Sequence, residues 1–136
     1  MTHVVLDTNV LLVCVSDRSP YHLIFKAFLE NKYTLCVTTD ILDEYAEILT
    51  RFSGLALSNL VLETIENAPN TRLITRYFAF DLIKIDPDDN KFVDCAIASN
   101  ADFIVTHDNH FNVLKTTLFP KVTICNANQF LEILRV

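Results

Sequence analysis

The chain has 136 residues, of which 51% are hydrophobic and 21% are charged, and its formal net charge is −6. These values are typical of one globular domain with its own core, and they exclude a disordered chain. No apolar stretch approaches the roughly 18 residues that span a bilayer. No basic segment followed by a long apolar one opens the chain either. We therefore expect a single domain over residues 1–136, located in the cytoplasm and not in a membrane.

The acidic balance limits the possible partners. Proteins that hold nucleic acid by neutralising its phosphates are usually basic, whereas this chain has 17 acidic residues against 11 lysines and arginines. Either it does not bind nucleic acid, or its acids are gathered around cations that reverse the local sign. An acidic surface would also suit a basic partner.

The cysteines indicate neither a metal site nor a disulfide framework. They form no CxxC pair and no Cys–His cluster, and each lies in or beside an apolar run: Cys14, Cys36, Cys95 and Cys125. In a chain without an export signal, we expect these side chains to be reduced thiols in the core.

Hydrophobic periodicity predicts strands that alternate with helices along the chain. β-Branched runs predict strands at residues 3–6, 33–39, 103–106 and 121–126. Apolar residues at helical spacing predict helices at about 20–31, from 40 onward, and at about 56–66, 87–100 and 126–136. Residues 71–85 fit a strand, irregular chain or a short helix. The alternation indicates an α/β fold, a three-layer α/β/α sandwich around a mostly parallel sheet.

Two acids follow predicted strands directly. Asp7 ends the strand in "VVLDTNV", and Asp108 comes just after the strand "FIVT". If both strands are parallel, both acids lie at the same edge of the sheet. Ligands in such folds bind in the crevice beyond the carboxyl ends of the strands.

Helix geometry predicts that a third acid, Glu44, points toward this crevice. It lies three residues after one apolar residue and four before another, so it borders the inward face of its helix. We expect that face to consist of Ile41, Tyr45, Ile48, Leu49 and Phe52.

A fourth acid, Asp89, lies at the start of the helix in "DPDDNKFVDCAIAS". It is on the same side as the expected inward stripe, which is Phe92, Val93, Ala96 and Ile97. Asp94 is rotated by about 140° from Asp89 on a helix of 3.6 residues per turn, so we expect Asp94 to face solvent.

Four carboxylates in one crevice repel one another unless cations neutralise them. Hard divalent ions such as Mg²⁺ take oxygen ligands and keep several waters, which suits an acidic cluster that meets a phosphate. Thr8, Asn9 and Thr106 are placed to orient the carboxylates or waters around such an ion. Each acid alone also suits a helix terminus or a turn, so only their joint placement favours a site.

The blocks "VVLDTNV" and "DPDDNKFVDCAIASNADFIVTHDNHF", in this order and separated by a helix with Glu44, resemble the PIN domain family. These are metal-dependent ribonucleases, found in many prokaryotic toxin–antitoxin toxins, and the second block is similar to the VapC-like toxin branch. Asn100 stands where a glycine is often expected after the helix. Asparagine also adopts the left-handed conformation required there.

The resemblance implies roles for individual residues. Asp7, Asp89 and Asp108 correspond to the family's metal ligands, and Glu44 to the acid that binds through water or helps to deprotonate it. Asp86, Asp88 and Asn90 leave the position of the third acid open by about a residue.

The resemblance further implies Mg²⁺ or Mn²⁺ as cofactor and an RNA substrate that is single-stranded or looped. It also implies a cognate antitoxin as partner, and dimers are common in the family. Asn9 and Thr106 would support the ligands, and Lys91 is the most plausible phosphate contact among the basic residues.

Three alternatives remain at this point. A receiver or phosphatase domain would use Asp7 as nucleophile, but Asn9 stands where a phosphatase needs a second Asp, and no Lys follows "FIVTHD". A catalytically silent PIN-like module would bind RNA or protein without hydrolysis, although all four acidic positions are filled. The two histidines of "HDNH" suggest zinc, but no Cys or third His is near in sequence. We interpret His107 and His110 as loop or rim residues, with His110 near RNA phosphates.

Overall fold

A computed structural model describes residues 1–75, 79–84 and 86–135. Its five strands are β1 (His3–Leu6), β2 (Thr34–Val37), β3 (Thr71–Leu73), β4 (Phe103–Val105) and β5 (Ile124–Cys125). They form one sheet in the order β3-β2-β1-β4-β5, in which every neighbouring pair is parallel. The predicted α/β sandwich with a parallel sheet is confirmed. The order differs from the 2-1-3-4-5 order of receiver domains, which argues against that alternative.

Six α-helices accompany the strands in the described part of the chain. They are α1 (Thr8–Cys14), α2 (His22–Leu29), α3 (Thr39–Ser53), α4 (Leu55–Asn67), α5 (Asn90–Ser99) and α6 (Ala127–Arg135). Short 3-10 segments cover Pro87–Asp89 and Asn109–Lys115. Among these helices, none is long and apolar enough to cross a membrane.

Most predicted elements have their counterpart in the structure, and α1 and the second 3-10 segment are additions. The run after Asn9 is short and almost entirely apolar, and such a run does not distinguish a strand from a buried helix. The ambiguous stretch 71–85 contains β3 and irregular chain at 79–84. Residues 76–78 and 85 of that stretch, and residue 136 of the last predicted helix, lie outside the described residues.

Helix α3 is fixed against the end of β1, and this places the start of the crevice. Its first turn is capped by Thr38, whose side chain accepts a hydrogen bond from the amide of Ile41. The buried hydroxyl of Tyr45 donates to the carbonyl of Leu6 at 2.6 Å, one residue before Asp7. The predicted inward position of Phe52 is wrong, because the last turn of α3 extends beyond the core and this side chain is 66% exposed.

The C-terminal end of α5 and the state of the cysteines agree with the predictions, whereas the predicted start of this helix at residue 87 is a 3-10 segment that precedes α5. Asn100 has φ 53° and ψ 45°, the left-handed conformation expected after α5. All four cysteines are buried free thiols. Burial raises the pKa of the Cys14 and Cys95 thiols to about 12, so these side chains act as apolar core residues.

Candidate active site

The crevice lies where β1 and β4 end side by side. The sheet order places β1 between β2 and β4, so the chain runs outward from β1 through β2 to β3 and then crosses back to β4 on the other side of β1. Such a switch point opens a crevice at the carboxyl ends of the strands. Asp7 follows β1, and its backbone amide still bonds to the carbonyl of Val105 in β4 at 3.0 Å. The parallel register therefore brings the acid after β1 to the residues after β4.

The hydroxyl of Thr106 connects the two acids that follow these strands. It donates to Oδ2 of Asp7 at 2.7 Å and accepts from the backbone amide of Asp108 at 3.0 Å. Asp108 in turn accepts from the amide of His110 at 2.9 Å, which starts the second 3-10 segment. Thr106 thus holds Asp7 and Asp108 in a fixed relation.

Asp7 is nearly enclosed, with 5% of its surface exposed. Burial is the main cause that raises the pKa of its carboxyl, and the charges of Asp108 and Glu44 raise it further. Hydrogen bonds from Thr106 and from the backbone of Thr8 oppose this shift. Because charges act on one another only at short range in water, these effects indicate that the three acids share one crevice.

Asp89 lies at the junction between the first 3-10 segment and α5, where its side chain caps nothing. Its pKa is raised to about 7, first by burial and then by the charges of Asp108 and Asp86, with a smaller effect from Asp7. A hydrogen bond from His110 lowers it only in part. Of the residues that left the position of the third acid open, Asp88 is exposed, whereas Asp89 faces the other acids.

Glu44 closes the crevice on the side of α3. The hydroxyl of Thr8 donates to its Oε2, and Nζ of Lys91 lies 2.7 Å from its Oε1. The two charged side chains are only 19% and 23% exposed. Burial alone would lower the pKa of Lys91, but the hydrogen bond and charge of Glu44 outweigh it and raise that pKa. Lys91, predicted as a phosphate contact, is thus paired with an acid of the site.

Asn9 is the remaining supporting residue named from the sequence. It lies in the first turn of α1, one residue after Thr8, and its side chain is exposed. Thr8 itself is buried and bonds to Glu44, as described above. Two of the three supporting residues therefore make direct hydrogen bonds to acids of the crevice.

The predicted exposure of Asp94 is wrong. Only 2% of its surface is exposed, and its Oδ1 accepts from the amide of Phe80 at 3.1 Å. Asn90 is buried in the same way, with its amide bonded to both backbone groups of Ile83 at 2.8 Å. Residues 79–84 thus cover the side of α5 that the helical periodicity had left to solvent.

Sequence reasoning also missed a cluster on the outer side of the crevice. Asp86, Asp89 and His110 each offer a donor atom, and these atoms lie within 4.8 Å of one another. His107 is not part of it, because its ring packs on Tyr21 with centroids 5.8 Å apart. The signal was present in the spacing, since Asp86 lies one helical turn before Asp89 and His110 lies two residues after Asp108. Asp86 and Asp89 precede His110 by 24 and 21 residues, so neither acid is a neighbour of the histidine in sequence.

The donor chemistry of the crevice suits a divalent cation. Its oxygen donors come from Asp7, Asp89 and Asp108, and burial together with repulsion by the charges of Asp108, Asp86 and Asp7 raises the pKa of Asp89 to about 7. A cation would remove that repulsion and replace the proton. The residues therefore fit the ion that the sequence suggested, and hard ions prefer oxygen ligands of this kind.

Comparisons with known proteins agree with this fold. A family model described as PIN domain matches residues 3–110. No curated protein sequence matches the chain. Among solved structures, VapBC2 from Rickettsia felis, bound to a DNA fragment from its promoter, aligns with a TM-score of 0.64 and 16% identity. That alignment covers 92% of this chain and 98% of that chain.

Two further solved structures have the same fold. VapC20 of Mycobacterium tuberculosis, a toxin that cleaves the sarcin–ricin loop, aligns with a TM-score of 0.59 and 11% identity over 80% of this chain and 92% of that one. DNA-bound VapBC from Salmonella typhimurium aligns with a TM-score of 0.61 and 15% identity over 93% and 99%. At these identities the likeness shows the fold alone.

Proposed function

The chain belongs to the PIN domain family, and from this membership and its acidic crevice we propose that it is a metal-dependent ribonuclease that hydrolyses RNA phosphodiester bonds. The family resemblance seen in the sequence is thereby confirmed. The observation that carries the proposal is the gathering of carboxylates from three segments: Thr106 links Asp7 to Asp108, and Nδ1 of His110 lies 3.4 Å from oxygens of both Asp89 and Asp108. Folding gains nothing from such a cluster, whereas cation binding explains it.

In this proposal, Asp7, Asp89 and Asp108 would hold Mg²⁺ or Mn²⁺. The hydrogen bonds of Thr106 to Asp7 and Asp108 fix these two ligands relative to each other. When bound, the ion supplies Lewis-acid chemistry, a more acidic water and charge stabilisation at the phosphate. Glu44 binds through water or accepts a proton from the attacking water. Thr8 and Lys91 hold its carboxylate in place for that role.

The crevice has room for a substrate beside these acids. A cavity of about 290 Å³ begins at Asp108. Its lining is mainly polar and includes His107, Asn109, Asn112, Lys115 and Gln129. Amide side chains read base edges, and unstacked bases of single-stranded or looped RNA are accessible to them.

We further propose that the chain is the toxin of a toxin–antitoxin pair in the cytoplasm. Support comes from the structural likeness to VapBC2 of Rickettsia felis and to VapBC of Salmonella typhimurium. The net charge of −6 suits a basic segment of a partner. The expected homodimer has the same family basis and is tested by the mass of the purified protein in solution.

The first experiment compares RNA cleavage by the wild type and Asp7→Asn, with Mg²⁺, with Mn²⁺ and with a chelator. We expect the variant to lose at least about a hundredfold in rate, the scale of removing one electrostatic catalytic group. The matched control is Glu66→Gln, which removes one charge near the start of β3, at the opposite edge of the sheet. Cleavage by Asp7→Asn at the wild-type rate, or cleavage that a chelator leaves intact, would refute the proposal.

A further inference from the structure

The ring of His110 lies between three carboxylates of the crevice. Its Nδ1 is 3.4 Å from an oxygen of Asp89, 3.4 Å from an oxygen of Asp108 and 4.0 Å from an oxygen of Asp86. A charge-assisted hydrogen bond between such groups is about 2.7–2.9 Å long. The nitrogen is thus placed centrally among the acids and is not closely bonded to any one of them.

These separations match the spacing of ligands around a shared ion. Ligand atoms lie about 2.0–2.1 Å from Zn²⁺ or Mg²⁺, so neighbouring ligands are about 3.0 Å apart in an octahedron and about 3.4 Å apart in a tetrahedron. The observed values of 3.4–4.0 Å need only small side-chain adjustments to meet this geometry. The donors are also accessible, since His110 is 36% and Asp86 45% exposed.

We propose that Nδ1 of His110 is a direct ligand of the catalytic ion, together with Asp86 and Asp89, and that the crevice therefore prefers Mn²⁺ to Mg²⁺. This inference rests on the proposed function, because it concerns the ion of that same site. It adds a nitrogen ligand and a fourth aspartate to the oxygen donors already described.

The preference follows from ligand chemistry. Mg²⁺ demands oxygen ligands and gives up its waters reluctantly, so an imidazole ligand adds little to the affinity for Mg²⁺. First-row transition ions accept imidazole nitrogen readily, and Mn²⁺ is the one among them that also suits carboxylates and water. A site with two or more carboxylates and one imidazole therefore binds Mn²⁺ more tightly than Mg²⁺.

The test measures Mn²⁺ and Mg²⁺ affinity by calorimetry on wild type, His110→Asn and His107→Asn. Asparagine replaces the nitrogen donor with an oxygen donor of similar reach. We expect His110→Asn to weaken Mn²⁺ binding by at least about tenfold, the lower range for altered metal surroundings, and to change Mg²⁺ binding much less. His107→Asn, which removes the neighbouring ring that packs on Tyr21, should bind both ions as the wild type does.

A spectroscopic readout separates ligation from general electrostatics. Pulsed EPR of the Mn²⁺-loaded wild type should show coupling to a nitrogen nucleus, and this signal should vanish in His110→Asn but persist in His107→Asn. If His110 only pairs with the acids as a cation, no nitrogen coupling appears and both affinities rise together in His110→Asn. That result would overturn the inference.

The outcomes also distinguish this inference from the proposed function. Loss of both ions in Asp7→Asn with an unchanged Mn²⁺ to Mg²⁺ ratio in His110→Asn would leave a metal-dependent nuclease without histidine ligation. Absence of Mn²⁺ and Mg²⁺ binding in the wild type at millimolar concentrations would overturn both.

Discussion

The two sides of the acidic crevice balance their charge in different ways. On the inner side, Glu44 is held by Thr8 and paired with Lys91 at 2.7 Å, so its charge is neutralised by the protein itself. On the outer side, Asp86 and Asp89 face Asp108, and burial together with repulsion by Asp108 and Asp86 raises the pKa of Asp89 to about 7. His110 offsets that repulsion only in part.

This difference indicates that the two sides have different tasks. An acid that already has a cationic partner gains little from a metal ion, whereas uncompensated acids gain a great deal. We therefore expect the outer side to bind the ion and the inner side to position Glu44 for chemistry. The variants below separate these tasks, from the largest effect to the smallest.

The largest contrast is expected between Asp89→Asn and Glu44→Gln. Asp89→Asn removes a ligand, so metal affinity and cleavage should both fall, each by about a hundredfold, the upper range for altered metal surroundings. Glu44→Gln should leave the metal affinity within about threefold but still lower the cleavage rate by about a hundredfold, within the range for a lost general base. Calorimetry and RNA cleavage on the same preparations measure both quantities.

Asp88→Asn is the matched control for this contrast, because Asp88 is exposed and one residue before the proposed ligand. It should bind the ion and cleave RNA as the wild type does. Equal loss of metal affinity in Glu44→Gln and Asp89→Asn would mean that both sides bind the ion, and the division of tasks would be wrong.

A smaller effect is expected when the internal cation is removed. Lys91→Met leaves Glu44 partly buried without its charge partner, so we expect the free energy of unfolding to fall by about 1–2 kcal/mol, between the values for exposed and buried pairs. Cleavage should fall about tenfold, because a misplaced acid is a poorer base. Chemical denaturation and cleavage assays measure the two effects.

Lys84→Met is the control, since Lys84 pairs with Asp81 where both side chains are exposed, at 74% and 59%. Exposed pairs of this kind contribute little, so it should match the wild type in stability and in cleavage. If Lys91→Met lowers RNA binding but not stability, Lys91 acts as the phosphate contact that the sequence suggested, and its pairing with Glu44 has no structural weight.

The sequence was sufficient for those features that depend on strand ends and helix faces. Asp7 and Asp108 follow two parallel strands, so their approach follows from the alternation of elements alone. The orientation of Glu44 and Asp89 toward the crevice follows from the position of each acid relative to the apolar face of its own helix. These arguments are local, and each needs only the fold class to bring distant segments together.

Features that depend on contacts between distant irregular segments were not predictable. Asp94 is buried because residues 79–84 fold over α5, and no periodicity within the helix reports a covering loop. The pairing of Lys91 with Glu44 joins residues 47 apart in sequence. His110 meets Asp86 and Asp89 across two separate 3-10 segments, so the spacing within either segment does not report their contact.

The smallest of these effects is the pH dependence of stability in the metal-free protein. The pKa of Asp89 is raised from 3.8 to about 7, so the folded state keeps a proton between these values that the unfolded state has lost. Stability must then fall as the pH rises from about 4 to about 7. After allowance for solvent screening, we expect Asp89→Asn to remove about 1 kcal/mol of this decline.

The measurement is chemical denaturation of wild type, Asp89→Asn and Asp88→Asn in chelator at pH 4.5 and pH 8. Asp89→Asn should gain stability over the wild type at pH 8 and lose that advantage at pH 4.5, while Asp88→Asn should follow the wild type at both. Saturating Mn²⁺ should reverse the order at pH 8, because the wild type then gains binding energy that Asp89→Asn lacks. An advantage of Asp89→Asn that persists with metal would mean that the outer acids repel one another without binding the ion, and the contrast between the two sides would lose its functional meaning.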